Sequence, residues 1–262
     1  MSSQSPADLR IIAPYGGTVT NTLEVERPGG DGLELEDSGA MLGLYVQWIR
    51  AGSFQGNLFG YFSPEVNYST LLGLHSNFDR YFDIGPLRNL VLGGGLELIS
   101  IDTDAADAID GLDAFSMRNT IIAPFARTGK QFGFGPAWLD ATVFPWAGGE
   151  VALQRGEIEL TPTASSNGSS GGPPGPIEIE QEIDETDWYG LAGVNLRATI
   201  ARVVQLDGKF HVAFDEDDRY RRGSLMMNVF VTHNFGLSWR FSHMETSAAT
   251  TRYHIFGFVV LF

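Results

Sequence analysis

Over most of its length the chain alternates in polarity with a period of two residues, and this restricts what it can become more than any other feature. Leu42, Leu44, Val46 and Trp48 form an apolar row, while Gly43, Tyr45 and Gln47 between them are small or polar. Beyond a break at Ala51-Gly52-Ser53, Phe54, Leu58 and Phe62 oppose Gln55, Asn57 and Ser63. Trp188, Ala192, Val194, Leu196 and Ile200 oppose Asn195, Arg197 and Thr199; after Ala201-Arg202, Leu206, Phe210, Val212 and Phe214 oppose Gln205, Asp207, Lys209 and His211. Phe235, Leu237, Trp239 and Phe241 oppose Ser238, Arg240 and Ser242. Successive side chains of a strand point to opposite faces, so each run reads as a β-strand with one apolar face. With 32 glycines in 262 residues and 43% hydrophobic residues, the chain is too glycine-rich for a helical bundle and too apolar for disorder.

The apolar row carries large side chains strand after strand, with aromatics gathered near strand ends at Trp48, Phe62, Trp188 and Phe214. That is the pattern of a lipid-facing band with aromatic girdles, and the opposite face of Gly, Ser, Asn and single charges suits a barrel interior. A soluble sandwich or lipocalin-like barrel is the alternative. No apolar run approaches the roughly 20 residues a spanning helix requires. The chain ends Gly257-x-x-Val260-x-Phe262, which resembles the C-terminal β-signal of bacterial outer-membrane barrels, with Ile255 standing where that signal usually has a polar residue. The resemblance covers the last strand. It implies a location in a Gram-negative outer membrane, contact with outer-membrane lipid and lipopolysaccharide, and recognition by the barrel-assembly machinery through Gly257, Val260 and Phe262. Residues Met1 to Asp8 are polar, with neither a basic flank nor an apolar core, so they do not read as an export signal. A leader preceding residue 1 in the natural gene is therefore expected, with residues 1–8 a flexible tail.

Outer-membrane barrels have short periplasmic turns, longer outer loops and an even strand number. Counting back from Phe262 places the Thr232–Phe235 turn, the Ala201 turn and a turn at Thr128-Gly129-Lys130 inside, and the loops 243–250, 215–224 and 102–113 outside. The Ser/Gly/Pro stretch 163–176 is too poor in apolar residues to order itself and reads as a flexible outer loop tip. On either side, Glu157-Ile158-Glu159-Leu160 and Ile177-Glu178-Ile179-Glu180 alternate acids with aliphatics. Acids at every second position cannot face lipid, so the region around 150–187 reads as a hairpin projecting above the membrane. With Leu9–Val25 as the first strand, the expectation is one all-β domain over residues 1–262, an antiparallel transmembrane barrel of about 12 strands. Ten is the alternative, if Phe54 to Phe78 is one bent strand or the N-terminus lies outside the wall.

Chemistry is sparse. Zero cysteine excludes a disulfide scaffold, a thiolate metal site and a cysteine nucleophile. The net charge of −15 argues against nucleic acid as a partner. None of the five histidines sits in a metal-binding arrangement. The His-x-Ser pair of outer-membrane lipases and lipid A deacylases is missing, since His243 precedes Met244-Glu245 and His211 precedes Val212-Ala213. No catalytic residue, cofactor or enzymatic activity is expected. Asp102, Asp104, Asp107, Asp110 and Asp113 are a weak Ca²⁺ or Mg²⁺ candidate, departing from the D-x-[DN]-x-[DN]-G loop and read first as a solvated acidic loop.

Function is expected on the inward face. Glu97, Arg118, Asp140, Asn195, Arg197, Asp207, Lys209, His211, Asn228 and Arg240 are assigned to the lumen. If these charges pair across a narrow barrel, the lumen is filled; if opposite walls carry opposite signs, a hydrated channel results. The leading expectation is a passive channel for small hydrophilic solutes. A structural or surface-interaction barrel with a filled lumen is second, and an outer-membrane lipid hydrolase third.

Overall fold

The computed structural model of the protein describes residues 8–26, 32–50, 53–64, 69–105, 112–136, 138–162, 179–215, 219–245 and 249–262. Among these residues every regular element is a β-strand: β1 (Asp8–Glu26), β2 (Gly32–Arg50), β3 (Phe54–Ser63), β4 (Ser69–Ile84), β5 (Leu87–Asp104), β6 (Leu112–Lys130), β7 (Phe132–Phe134), β8 (Leu139–Pro162), β9 (Ile179–Ile200), β10 (Val204–Phe214), β11 (Arg219–Phe230), β12 (Phe235–Glu245) and β13 (Ala249–Leu261). Neighbours pair antiparallel in sequence order. Pairing of β13 with β1 and of β6 with β8 closes a ring of twelve strands, and the short β7 stays outside it, bonded to β8 alone.

The expected strand count and first strand match this ring, and the ten-strand alternative does not, because Phe54 to Phe78 divides between β3 and β4. Gly135 has φ +135°, which side-chain-bearing residues rarely adopt. The tail expected at residues 1–8 and the loop tip at 163–176 fall outside the described residues, apart from Asp8 at the start of β1.

Burial fixes the two faces. On β2, Leu42 and Leu44 are 64% and 49% exposed, while Met41, Tyr45 and Gln47 are at most 3% exposed. The same inversion holds on β9, β12 and β13, where Leu196, Leu237, Phe256 and Phe258 point outward. A soluble barrel would bury these rows. An outward belt of aliphatic and aromatic side chains is what a lipid surround stabilises, and closing the ring leaves no open strand edge within it.

The belt ends where the outward row changes chemistry. On β9 it runs Ile200, Ala198, Leu196, Val194, Ala192, Gly190 and Trp188, then turns to Thr186, Asp184, Glu182 and Glu180. On β8 it runs Val151 and Leu153, then Arg155, Glu157 and Glu159. Strand β10 pairs with β9 only as far as Gly190, whereas β8 follows β9 up to Ile179, so the expected hairpin is present as a continuation of β8 and β9 beyond the wall. Residues 190–200, eleven positions, lie in the wall, which matches the roughly 9–11 residues a tilted strand needs to cross the hydrocarbon.

Strands β9 and β10 are joined by a two-residue hairpin in which Ala201 and Arg202 both have positive φ (49° and 59°) and Val203 N–H donates to Ile200 O at 2.9 Å. This handedness suits the twist of the flanking strands, but Asn and Gly occupy it at far lower cost than Ala and Arg. Replacing Ala201→Asn together with Arg202→Gly should stabilise the barrel by about 1–2 kcal/mol, read as a higher denaturant midpoint at unchanged slope. A lower midpoint would show that the turn has another conformation.

Candidate functional site

A twelve-strand ring encloses a lumen wider than small side chains can fill. Long side chains cross it here. The wall of β13, β1, β2 and β3 contributes the apolar part, with Ile11, Tyr15, Tyr45, Phe59, Tyr61, Tyr253, Ile255 and Val259 all buried inward. The ring centroids of Phe59, Tyr61 and Tyr253 lie 5.4, 5.7 and 5.8 Å apart. Ile255 and Val259 are fully buried, in keeping with a dry stretch of lumen near the C-terminal end of β13.

The remaining wall carries charge, and three of its arginines are held by carboxylates. Arg127 on β6 donates from Nε to Asp79 Oδ1 (3.0 Å) and from Nη2 to Asp79 Oδ2 (2.7 Å) and Asn77 Oδ1 (2.7 Å), its guanidinium 5.2 Å from the centre of a Trp146 ring. Arg197 on β9 donates to Asp207 Oδ2 from Nη2 (2.6 Å), and its Nη1 reaches Gln55 Oε1 on β3 (2.8 Å). Arg222 on β11 pairs with Glu97 on β5, whose carboxylate also lies 3.8 Å from His75 Nδ1. The strand pairs β9/β3 and β11/β5 are each five places apart in the ring of twelve. Both contacts therefore span nearly the full lumen.

Arg240 is held differently. It is 6% exposed, and its guanidinium carbon sits 4.0 Å over the Phe59 ring and 5.4 Å from that of Tyr45, a cation–π arrangement that gains strength when desolvated. Ser238 Oγ donates to Asn228 Oδ1 at 2.5 Å, so the Tyr15 hydroxyl must donate to Ser238 (2.6 Å), and Asn228 Nδ2 continues to Gln205 Oε1 (3.4 Å). Tyr220 donates to Glu150 Oε1 at 2.5 Å, and Trp146 Nε1 to Asn195 Oδ1 at 3.1 Å. Among these side chains lies a small cavity of about 40 Å³, lined by His75, Glu97, Lys209, His211, Arg222 and Arg240 among others.

Most of the residues assigned to the lumen from sequence are therefore inward: Glu97, Asn195, Arg197, Asp207, Lys209, His211, Asn228 and Arg240. Arg118 is a correction. It lies on the outer face, exposed, paired with Asp102 at 3.2 Å, because the inward parity of β6 belongs to Met117, Ala123 and Arg127. Asp140 shares the inward register of β8 but is exposed at the mouth. Asp102 and Asp104 are exposed on β5, while Asp107, Asp110 and the Asp113 side chain lie outside the described residues. Gln55, Asp79, Arg127, Glu150 and Arg222 were missed, although the alternation of Asn77, Phe78 and Asp79 carried the signal for β4. Of the β-signal residues, Phe262 is exposed, Val260 partly so, and Gly257 faces inward at the seam with β1. A Cβ on Gly257 would fall 1.9 Å from Pro14 O, so the seam requires glycine there.

Among solved structures, the translocator domain of autotransporter NalP from Neisseria meningitidis is similar over 98% of this chain and 90% of that one, with TM-score 0.57 and 15% identity. The chain has the fold of an outer-membrane β-barrel. The β-domain of the Bordetella autotransporter Brka (TM-score 0.45, 16% identity, 95% and 98% covered) and a TodX deltaS2S3 mutant, a monoaromatic hydrocarbon channel (0.45, 9%, 98% and 90%), resemble this barrel more loosely. No family model matches the chain, and no curated protein matches it.

Breaking a buried ion pair from one side strands the other charge, at a cost of roughly 3–5 kcal/mol. Arg127 and Asp79 are both 4% exposed, whereas Arg118 and Asp102 are 71% and 53% exposed. Asp79→Asn should therefore destabilise the barrel by about 3–5 kcal/mol, and Asp102→Asn by less than about 1 kcal/mol. Denaturant unfolding in detergent gives both values, and equal losses would contradict the placement of the first pair.

Proposed function

We propose that the protein is an outer-membrane barrel with a filled lumen, which anchors and presents the acidic hairpin of β8 and β9 at the outer surface. The observation that carries this reading is the pair of contacts Arg222–Glu97 and Arg197–Gln55, each joining nearly opposite walls. A chain of solutes cannot pass where guanidinium groups bridge the walls. The same groups leave a stiff cylinder, suited to holding an extended surface element upright.

A second reading, passage or binding of small solutes, is favoured by one observation. Gln47 and Asn57, register partners on β2 and β3, are at most 1% exposed, yet neither their amide nitrogens nor their oxygens have a protein hydrogen-bond partner. Buried carboxamides without protein partners suit a site wetted by water or a small polar solute.

Planar-bilayer recording separates the readings. The purified protein should show no steady unitary conductance, and Arg222→Ala with Glu97→Ala should introduce one by removing a bridge. Steady conductance from the unmodified barrel would favour the second reading and overturn the first.

A further inference from the structure

Residues 179–189 of β9 pair with β8 along one edge, and among the described residues no strand pairs with the other, because β10 stops at the level of Gly190. Between Gln181 and Trp188 every second residue thus directs its backbone N–H and C=O to that edge, over a length of roughly 25 Å. Side chains on both faces of this stretch are open: Gln181, Glu182, Asp184, Glu185, Thr186 and Trp188 are all exposed. An edge of this kind is a template for another extended chain.

Its charge selects the occupant. From Ile179 to Trp188 the sequence holds five carboxylates and no base. A second copy of this chain pairing edge to edge would set acids against acids, and like charges placed opposite one another across strands are destabilising. Arg155 on β8 is the nearest base, 3.6 Å from Asp184, with both side chains exposed and solvated. The apolar belt ends at Trp188, so the edge stands in water, where it can meet a soluble chain.

We propose that the upper edge of β9 binds a cationic polypeptide segment in extended conformation, which adds to the sheet as a further strand while its lysines or arginines meet Glu182 and Asp184 on one face of the sheet or Glu185 and Asp187 on the other. This rests on the surface-presenting reading of the barrel, and conductance tests that reading separately. Backbone pairing supplies much of the affinity and the acids supply the choice of partner and a fast, salt-sensitive encounter.

The test uses the full-length protein in detergent or nanodiscs and a labelled peptide of about ten residues alternating lysine with valine. Binding should be saturable and weaken as salt rises, and the same peptide with glutamate for lysine should not bind. Glu182→Gln, Asp184→Asn and Glu185→Gln together should weaken binding about tenfold. Equal neutralisation of Glu34, Glu36 and Asp37 on the hairpin of β1 and β2 should leave it within about twofold. A peptide of the same charge, N-methylated along both edges, should lose most of its affinity, since it cannot donate to the β9 backbone. These variants lie outside the wall, and heat-modifiable migration confirms that each barrel has folded. Equal binding of the methylated peptide would show that charge alone is read and would overturn strand addition, as would equal weakening by the β1–β2 variant.

Discussion

Closure of β13 onto β1 is the interaction on which the rest of this structure depends. In hydrocarbon a strand edge left unpaired exposes backbone groups that no water can satisfy, so a sheet of this kind is stable in a membrane only as a complete ring. The seam runs from Leu23 opposite Ala249 to Ile11 opposite Leu261, interrupted at Ala13 and Pro14, and it ends with a reciprocal backbone pair between Arg10 and Phe262. Gly257 lets the two backbones approach at the level of Pro14 and Tyr15. Once the ring is closed, every second side chain is committed to a space from which lipid is excluded.

That space behaves as a polar core. Arg127, Arg197 and Arg222 would be costly if they stood alone in a low-dielectric interior, and each is instead held by a carboxylate and, for the first two, an amide oxygen as well. Aromatic side chains on the facing wall serve the fourth guanidinium, that of Arg240, through their ring faces. The result is a cross-braced cylinder. Beyond it β8 and β9 continue as a pair past the level at which β10 ends, and the polarity change between Trp188 and Asp184 marks the upper end of the apolar belt.

The wall was legible in the sequence because membrane barrels write their two faces into a period of two. Leu42 to Trp48 and Leu206 to Phe214 could be sorted into outward and inward rows by size and polarity alone. Parity failed at Arg118, where β6 rises above the lipid boundary and an outward position can carry charge. The Thr128-Gly129-Lys130 triplet imitated a turn, while the reversal lay a few residues on at Gly135-Pro136. Partners across the lumen were not legible at all. The pairing of Arg222 with Glu97, or of Arg197 with Gln55, depends on ring size and strand stagger, which no local pattern encodes. The same residues set in a wider ring would line an open channel.

The central claim is that the interior is packed and closed to bulk water, and the absence of cysteine from the chain makes a direct measurement possible. A single cysteine introduced by Asn57→Cys, where the native side chain is 1% exposed, can be compared with one introduced by Asp102→Cys on the outer face. With a membrane-impermeant maleimide on the folded barrel in liposomes opened to both sides, the account predicts rapid labelling at position 102 and none at position 57 until the protein is unfolded. Labelling at position 57 as fast as at position 102 would contradict it and show that water runs through the lumen.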